Sequence, residues 1–173
     1  MRKTLLFVLA GAVCLVGAGR PRAEEKKADA KLSAQEFVTK ASAAGLAEVN
    51  LGNLAKDRAS SPHVKDFAQH MVTDHTKANA ELLKLADAKG LKPASRMDET
   101  HEKLATKLAG LKGADFDKEY MKAMVKDHED AVSLFEHASK GVDDKDLQAW
   151  AGKTLPTLKE HLEMAKKVAG SAE

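Results

Sequence analysis

The sequence predicts an all-α protein whose main body is one bundle of four long helices. Apolar and small residues recur at steps of three and four over long stretches, the mark of helices with one buried face. Capping residues, glycines and prolines punctuate those stretches where helices should start and stop. With one Trp and one Tyr among 173 residues and much Ala, Leu and Lys, the composition favours helices and leaves little material for a sheet.

The chain begins Met1-Arg2-Lys3, followed by an apolar run from Leu5 to Ala18. A charged start and a short apolar stretch are the pattern of a secretory signal peptide, placed here at residues 1–23 with cleavage after Ala18 or Ala23. The run falls short of the roughly 20 residues a membrane span needs. Lipid attachment at Cys14 is disfavoured, because Val13 precedes it where a small residue is wanted. Cys14 is the only cysteine and leaves with the leader, so the mature chain has no thiol, which suits an oxidising compartment. No later run approaches membrane length, so no transmembrane span is expected in the mature chain. The expected location is periplasmic or secreted, with association at the outer membrane left open. The leader carries Arg2, Lys3, Arg20 and Arg22 and no acid, so its removal takes the formal charge from +2 to −2. Nothing in this balance argues for a nucleic-acid partner. The sequence does not specify a protein partner or a membrane-surface contact.

Residues 24–32 are mostly polar and non-periodic and read as a disordered spacer. The bundle is expected over residues 33–170. Ser33 and Glu36 form a capping box. The first long helix follows, to about Arg58, with Phe37, Ala41, Ala44, Leu51 and Ala55 on one face. Ser61 is placed to cap the second, with Pro62 at its first position. Its inward row is Val64, Ala68, Met71, Ala78, Leu82 and Leu85, and Gly90 and Pro93 end it. A short amphipathic helix over 97–109 presents Leu104 and Leu108. The third long helix runs from Ala114 to Lys140 along Met121, Met124, Ala131, Phe135 and Ala138. Asp143 or Asp144 caps the fourth, which carries Leu147, Ala151, Thr154, Leu158, Ala165 and Val168. Pro156 inside it predicts a kink or a division into two pieces. The segment 91–113 is either a crossover that makes the second and third long helices parallel or a cap between antiparallel ones.

One polar residue interrupts each inward row: Glu48, His75, His128 and His161. Estimated from the helix ends at 1.5 Å per residue, the first two differ in height by ~5 Å and the last two by ~10 Å, so all four can meet at mid-bundle. A buried carboxylate is costly unless paired or ligated. Three neutral imidazoles and a carboxylate suit a divalent transition metal: iron, zinc, manganese or copper. The metal-free alternative is a structural Glu–His core. Each histidine also follows an acid, in Asp74-His75, Asp127-His128 and Glu160-His161. Adjacent residues point about 100° apart on a helix, so these acids flank the seam. There they can orient a neighbouring imidazole or add ligands for a second ion. Met71, Met124 and Met164 lie within a turn of the three histidines. Thioethers favour copper(I), although methionine is commonly core filler. His63 and His70 read as exposed, and His101 and His137 fall off the seams. Tyr120 and Trp150 stand as single aromatics without a stacking platform. No nucleophile motif, Gly-rich phosphate loop or cysteine cluster is present.

The segments AEVNLGNLA (47–55), FAQHMVTDHTKANAELLKLA (67–86), FDKEYMKAMVKDHEDAVSLFEHA (116–138) and LPTLKEHLEMAK (155–166) resemble the bacterial domain of unknown function 4142 family. The resemblance covers roughly residues 34–169. It implies a ferritin-like four-helix bundle, with the short helix inserted between the second and third long ones, in an exported or outer-membrane protein with a metal site. The matching polar positions are Glu48, Asp74, His75, Asp127, His128 and His161. Ferritin-like di-iron sites use Glu-x-x-His on two helices and a Glu on each of the others. The long helices here lack that motif, so ferroxidase chemistry is not carried over. The leading expectation is an exported metal-binding bundle for storage, buffering or stress protection. The alternatives are a non-catalytic structural or stress-related envelope bundle with a metal-free polar core, and a metal-dependent oxidoreductase.

Overall fold

The computed structural model describes residues 32–171. The leader and nearly all of the spacer lie outside the described residues. Leu32, at the spacer's end, is buried in the core.

Five helices follow: α1 (Ala34–Arg58), α2 (Pro62–Ala88), α3 (Glu99–Ala109), α4 (Gly113–Gly141) and α5 (Lys145–Ser171). Their ends show why the sequence divides there. Ser33 Oγ accepts from the Glu36 amide at 3.2 Å, half of the expected capping box. The Glu36 carboxylate turns instead to Lys40, one turn on, at 2.6 Å. At the end of α2, the Leu91 amide donates to the Ala86 carbonyl and the Gly90 amide to that of Asp87. Gly90 takes φ +64, the left-handed conformation this closing turn needs. Asp144 Oδ1 accepts from the amides of Asp146 and Leu147 and so caps α5.

Two expectations are corrected. The Ser61 side chain does not cap α2. The buried Asp117 of α4 reaches across instead, and its carboxylate accepts from the amides of Ser60 and Ser61 at 3.1 and 2.8 Å. A charged acceptor makes the stronger bond at a helix N-terminus. Pro156 does not divide the last helix, because α5 runs unbroken through it. The ring removes one backbone bond, and tertiary packing on both sides of it outweighs that loss.

Helices α1 and α2 form one hairpin and α4 and α5 another, while α1 also faces α4 and α2 faces α5. One apolar cluster joins the start of α1 (Phe37, Val38), the end of α2 (Leu82, Ala86), the end of α4 (Phe135, Ala138) and the start of α5 (Leu147, Trp150). A second joins the opposite ends, through Leu51 and Ala55, Phe67 and Met71, Phe116 and Met124, and Ala165. Hence α2 and α4 run parallel, every facing pair is antiparallel, and the segment holding α3 carries the chain back along the bundle. The single long crossover matches the ferritin-like arrangement.

That crossover is pinned to α1. The Gln35 amide donates to the Lys92 carbonyl at 2.7 Å and accepts from the Lys92 amide at 3.0 Å. Ser42 Oγ accepts from the Ala94 amide at 2.8 Å. Helix α3 then lies against α1 and α4, with Leu108 fully buried.

Candidate metal centre

Between the two apolar clusters lies a polar layer, and the four seam residues form it. Glu48, His75, His128 and His161 are all buried, one from each long helix. The steps of three and four along each row place them there. The row members one turn away are apolar or small, such as Met71 and Ala78 beside His75 and Met124 and Ala131 beside His128, so the polar residue is carried inside with the row.

The three imidazoles meet. Their ring centroids lie 5.6 Å apart for His75 and His128, 5.3 Å for His75 and His161, and 5.5 Å for His128 and His161. One nitrogen from each lies within 4.8 Å of the chosen nitrogens of the other two. Glu48 Oε1 stands 3.7 Å from His128 Nδ1, at the edge of this trio.

The outer hydrogen bonds fix which nitrogens face inward. His128 Nδ1 lies 2.8 Å from the Met124 carbonyl. A carbonyl only accepts, so Nδ1 carries the proton and Nε2 keeps its lone pair. His161 Nε2 lies 2.9 Å from Asp74 Oδ2. Its Nε2–H donates to the carboxylate and leaves Nδ1 with the lone pair. The nitrogens left over, His128 Nε2 and His161 Nδ1, are buried without a hydrogen-bond partner, as is His75 Nε2. Buried polar atoms are nearly always paired, so three such nitrogens in one layer are unusual.

Burial also sets the charge. Desolvation pushes His75 far below its ordinary value, reinforced by His128 and His161. It brings His128 down to about 4 and lowers His161, against the opposing pull of Asp74. All three are therefore neutral at pH 7, the form that ligates. Desolvation, with the Asp127 charge beside it, raises Glu48 to about 8. His101 opposes this shift only in part, so in the metal-free chain that carboxyl is mostly protonated at neutral pH.

The flanking acids divide. Asp74 lies against the imidazole of His161 on a neighbouring helix. Asp127 faces none of the trio; its Oδ1 lies 3.6 Å from His101 Nε2. Glu160 is exposed. Sequence reasoning set His101 aside, yet it links α3 to the rim of the centre. Its Nδ1 pairs with Asp98 at 2.7 Å, and Asp127 first, then Asp98, raise its pKa to about 9. The signal available was Asp98 as a helix cap, three residues before His101. Met71 and Met124 are fully buried in the apolar cluster below the layer. Tyr120 and Trp150 do have aromatic neighbours. Tyr120 stacks on Phe116 with centroids 5.8 Å apart, and Trp150 lies 5.4 Å from Phe135. His63, His70 and His137 are exposed.

Several solved structures share this fold. A Deinococcus radiodurans DUF305 fragment superposes with TM-score 0.70 at 14% identity, over 79% of this chain and 94% of its own. CopM in its Cu(II)-bound form gives 0.69 at 15%, over 83% and 99%. A DUF305 protein from Streptomyces coelicolor, described as secreted, gives 0.68 at 14%, over 79% and 89%. No curated protein matches the sequence. The family model of DUF4142, a domain of unknown function, matches residues 19–168, and the chain belongs to that family.

Proposed function

We propose that this chain is an exported bundle that binds one divalent transition-metal ion through His75, His128 and His161, for storage, buffering or stress protection. The observation that carries the reading is the set of three buried, unpartnered imidazole nitrogens converging in one layer. An ion would satisfy all three at once. Asp74 and the Met124 carbonyl play the part of outer partners, holding two of the rings in the ligating tautomer. Glu48 Oε1 lies beside His128 Nδ1, the nitrogen turned to Met124, and a bound cation would favour its ionised form as a balancing charge.

The donor set favours a single ion. Asp74 and Asp127 are turned to His161 and His101, so the carboxylates a second ion would need are engaged elsewhere. Imidazole-rich sites suit copper, zinc or iron. The Cu(II)-bound state of CopM, which shares the fold, makes copper the first ion to try. The leader at residues 1–23 supports export to the periplasm or beyond. No described helix is long and apolar enough to cross a membrane.

Equilibrium dialysis against Cu²⁺, Zn²⁺ and Fe²⁺ tests this, with elemental analysis and thermal unfolding alongside. The expected result is one ion per chain, a raised Tm, and loss of both in His75→Ala and His128→Ala. Equal metal content in the wild type and both variants would overturn it. That result would leave the metal-free polar core as the account of the layer.

A further inference from the structure

A cavity of about 360 Å³ opens beside the polar layer. It lies wholly on the side of the first apolar cluster. Its inner wall is built from Ala41, Ala44, Ala78, Ala131, Leu158 and Trp150, and it reaches His75, His161 and Glu48 at its floor. Alanines at inward positions create the space, because larger side chains there would close it. Protein interiors seldom keep voids much larger than a water molecule, whereas ligand pockets begin at about 300 Å³ and are mostly apolar. Trp150 Nε1, on this wall, is buried without a hydrogen-bond partner.

The mouth differs from the interior. Asp98, Asp130 and the half-buried Asp127 stand there; His101 lies against both Asp98 and Asp127, Lys126 pairs with Asp130, and Lys40 pairs with Glu36. With Asp74 on the lining and Glu36 beside Lys40, five acids face three bases. An anionic ligand would meet net repulsion, while a cationic head would be matched.

We propose that this chamber is a binding site for a small organic amine, its apolar body among the alanines and Trp150 and its ammonium group at the Asp98–Asp127–Asp130 mouth. The site adjoins the metal centre at its floor and does not depend on an ion being bound. The size suits a body of one aromatic ring or a short alkyl chain.

Trp150 is the only tryptophan, so its fluorescence reports on the chamber alone. The purified metal-free protein is titrated with 2-phenylethylamine, 2-phenylethanol and phenylacetate, which share a body and differ in the head. Saturable change with the amine is expected, several-fold weaker binding of the alcohol, and at least tenfold weaker binding of the acid. Ala131→Leu and Ala78→Leu, which fill the space from different helices, should each weaken amine binding at least tenfold while unfolding remains cooperative. Their Cu²⁺ uptake should match the wild type, which separates this site from the metal centre. No saturable response to the amine would overturn the proposal. So would phenylacetate binding as tightly as the amine, or unchanged amine affinity in a folded filled variant.

Discussion

The two halves of the bundle, divided by the histidine layer, are built differently. Below the layer, Phe67, Phe116, Tyr120, Met71, Met121 and Met124 fill the space with large side chains, most of them fully buried. Above it, alanines from α1, α2 and α4 face a cavity, and only the far end is closed by the Phe37, Phe135 and Trp150 cluster. The same helices cross both halves, so helix propensity cannot explain the contrast. Side-chain volume at the inward positions does. The lower half packs large side chains beneath His128, while the upper half leaves His75, His161 and Glu48 on the lining of a cavity.

The largest expected effect tests the packed half. Phe116 is fully buried and stacked on Tyr120, so Phe116→Ala should cost about 3–5 kcal/mol in urea unfolding. Asp117 also belongs to this end, where its carboxylate serves two backbone amides at the start of α2. Asp117→Ala should cost about 2 kcal/mol, because it leaves those two amides without their acceptor. The smallest effect belongs to the open half. Ala131→Leu adds volume into existing space and should change stability by less than ~1 kcal/mol. An overpacking loss of about 1–3 kcal/mol would show that the two halves are equally filled.

The layer between them gives a pH signature in the metal-free protein. His128 titrates at about 4 in the folded chain against 6.5 ordinarily. Its contribution is present above pH 6.5 and is lost as the pH falls through about 4. His75 and His161 shift in the same direction. Glu48 runs the other way, raised from 4.5 to about 8. Its contribution is present below 4.5 and lost as the pH rises through about 8. His101, raised from 6.5 to about 9, adds a loss of its own above pH 6.5, so urea midpoints for Glu48→Gln should keep the loss toward pH 4 and decline less steeply than the wild type between pH 6.5 and 8.

How much of this was legible in the sequence depends on the range of the interaction. The four helices and the seam quartet follow from spacing within each helix, and the inward rows carry Glu48, His75, His128 and His161 to one layer. The parallel pairing of α2 and α4 was not legible, because a connection of that length permits either direction. His101 was missed for a related reason. It sits on the crossover helix, and nothing within that helix says which neighbour it meets. Asp117 bonding the turn before α2 and Asp127 pairing with His101 are likewise contacts between segments distant in sequence. At Pro156 the division into two pieces does not occur, since local propensity is weaker than the packing of a long buried face. The cavity was written in the alanines of the inward rows, but small residues can equally mark close helix approach. Gly45 illustrates that case, since a Cβ there would fall 1.9 Å from Asn79 Oδ1.

Anomalous diffraction from crystals grown with Cu²⁺, recorded on either side of the copper edge, tests the metal centre most directly. The account predicts one peak per chain, within about 2 Å of a nitrogen from each of His75, His128 and His161. A peak confined to the exposed His63, His70 or His137, or none at all with the ion in excess, would contradict it.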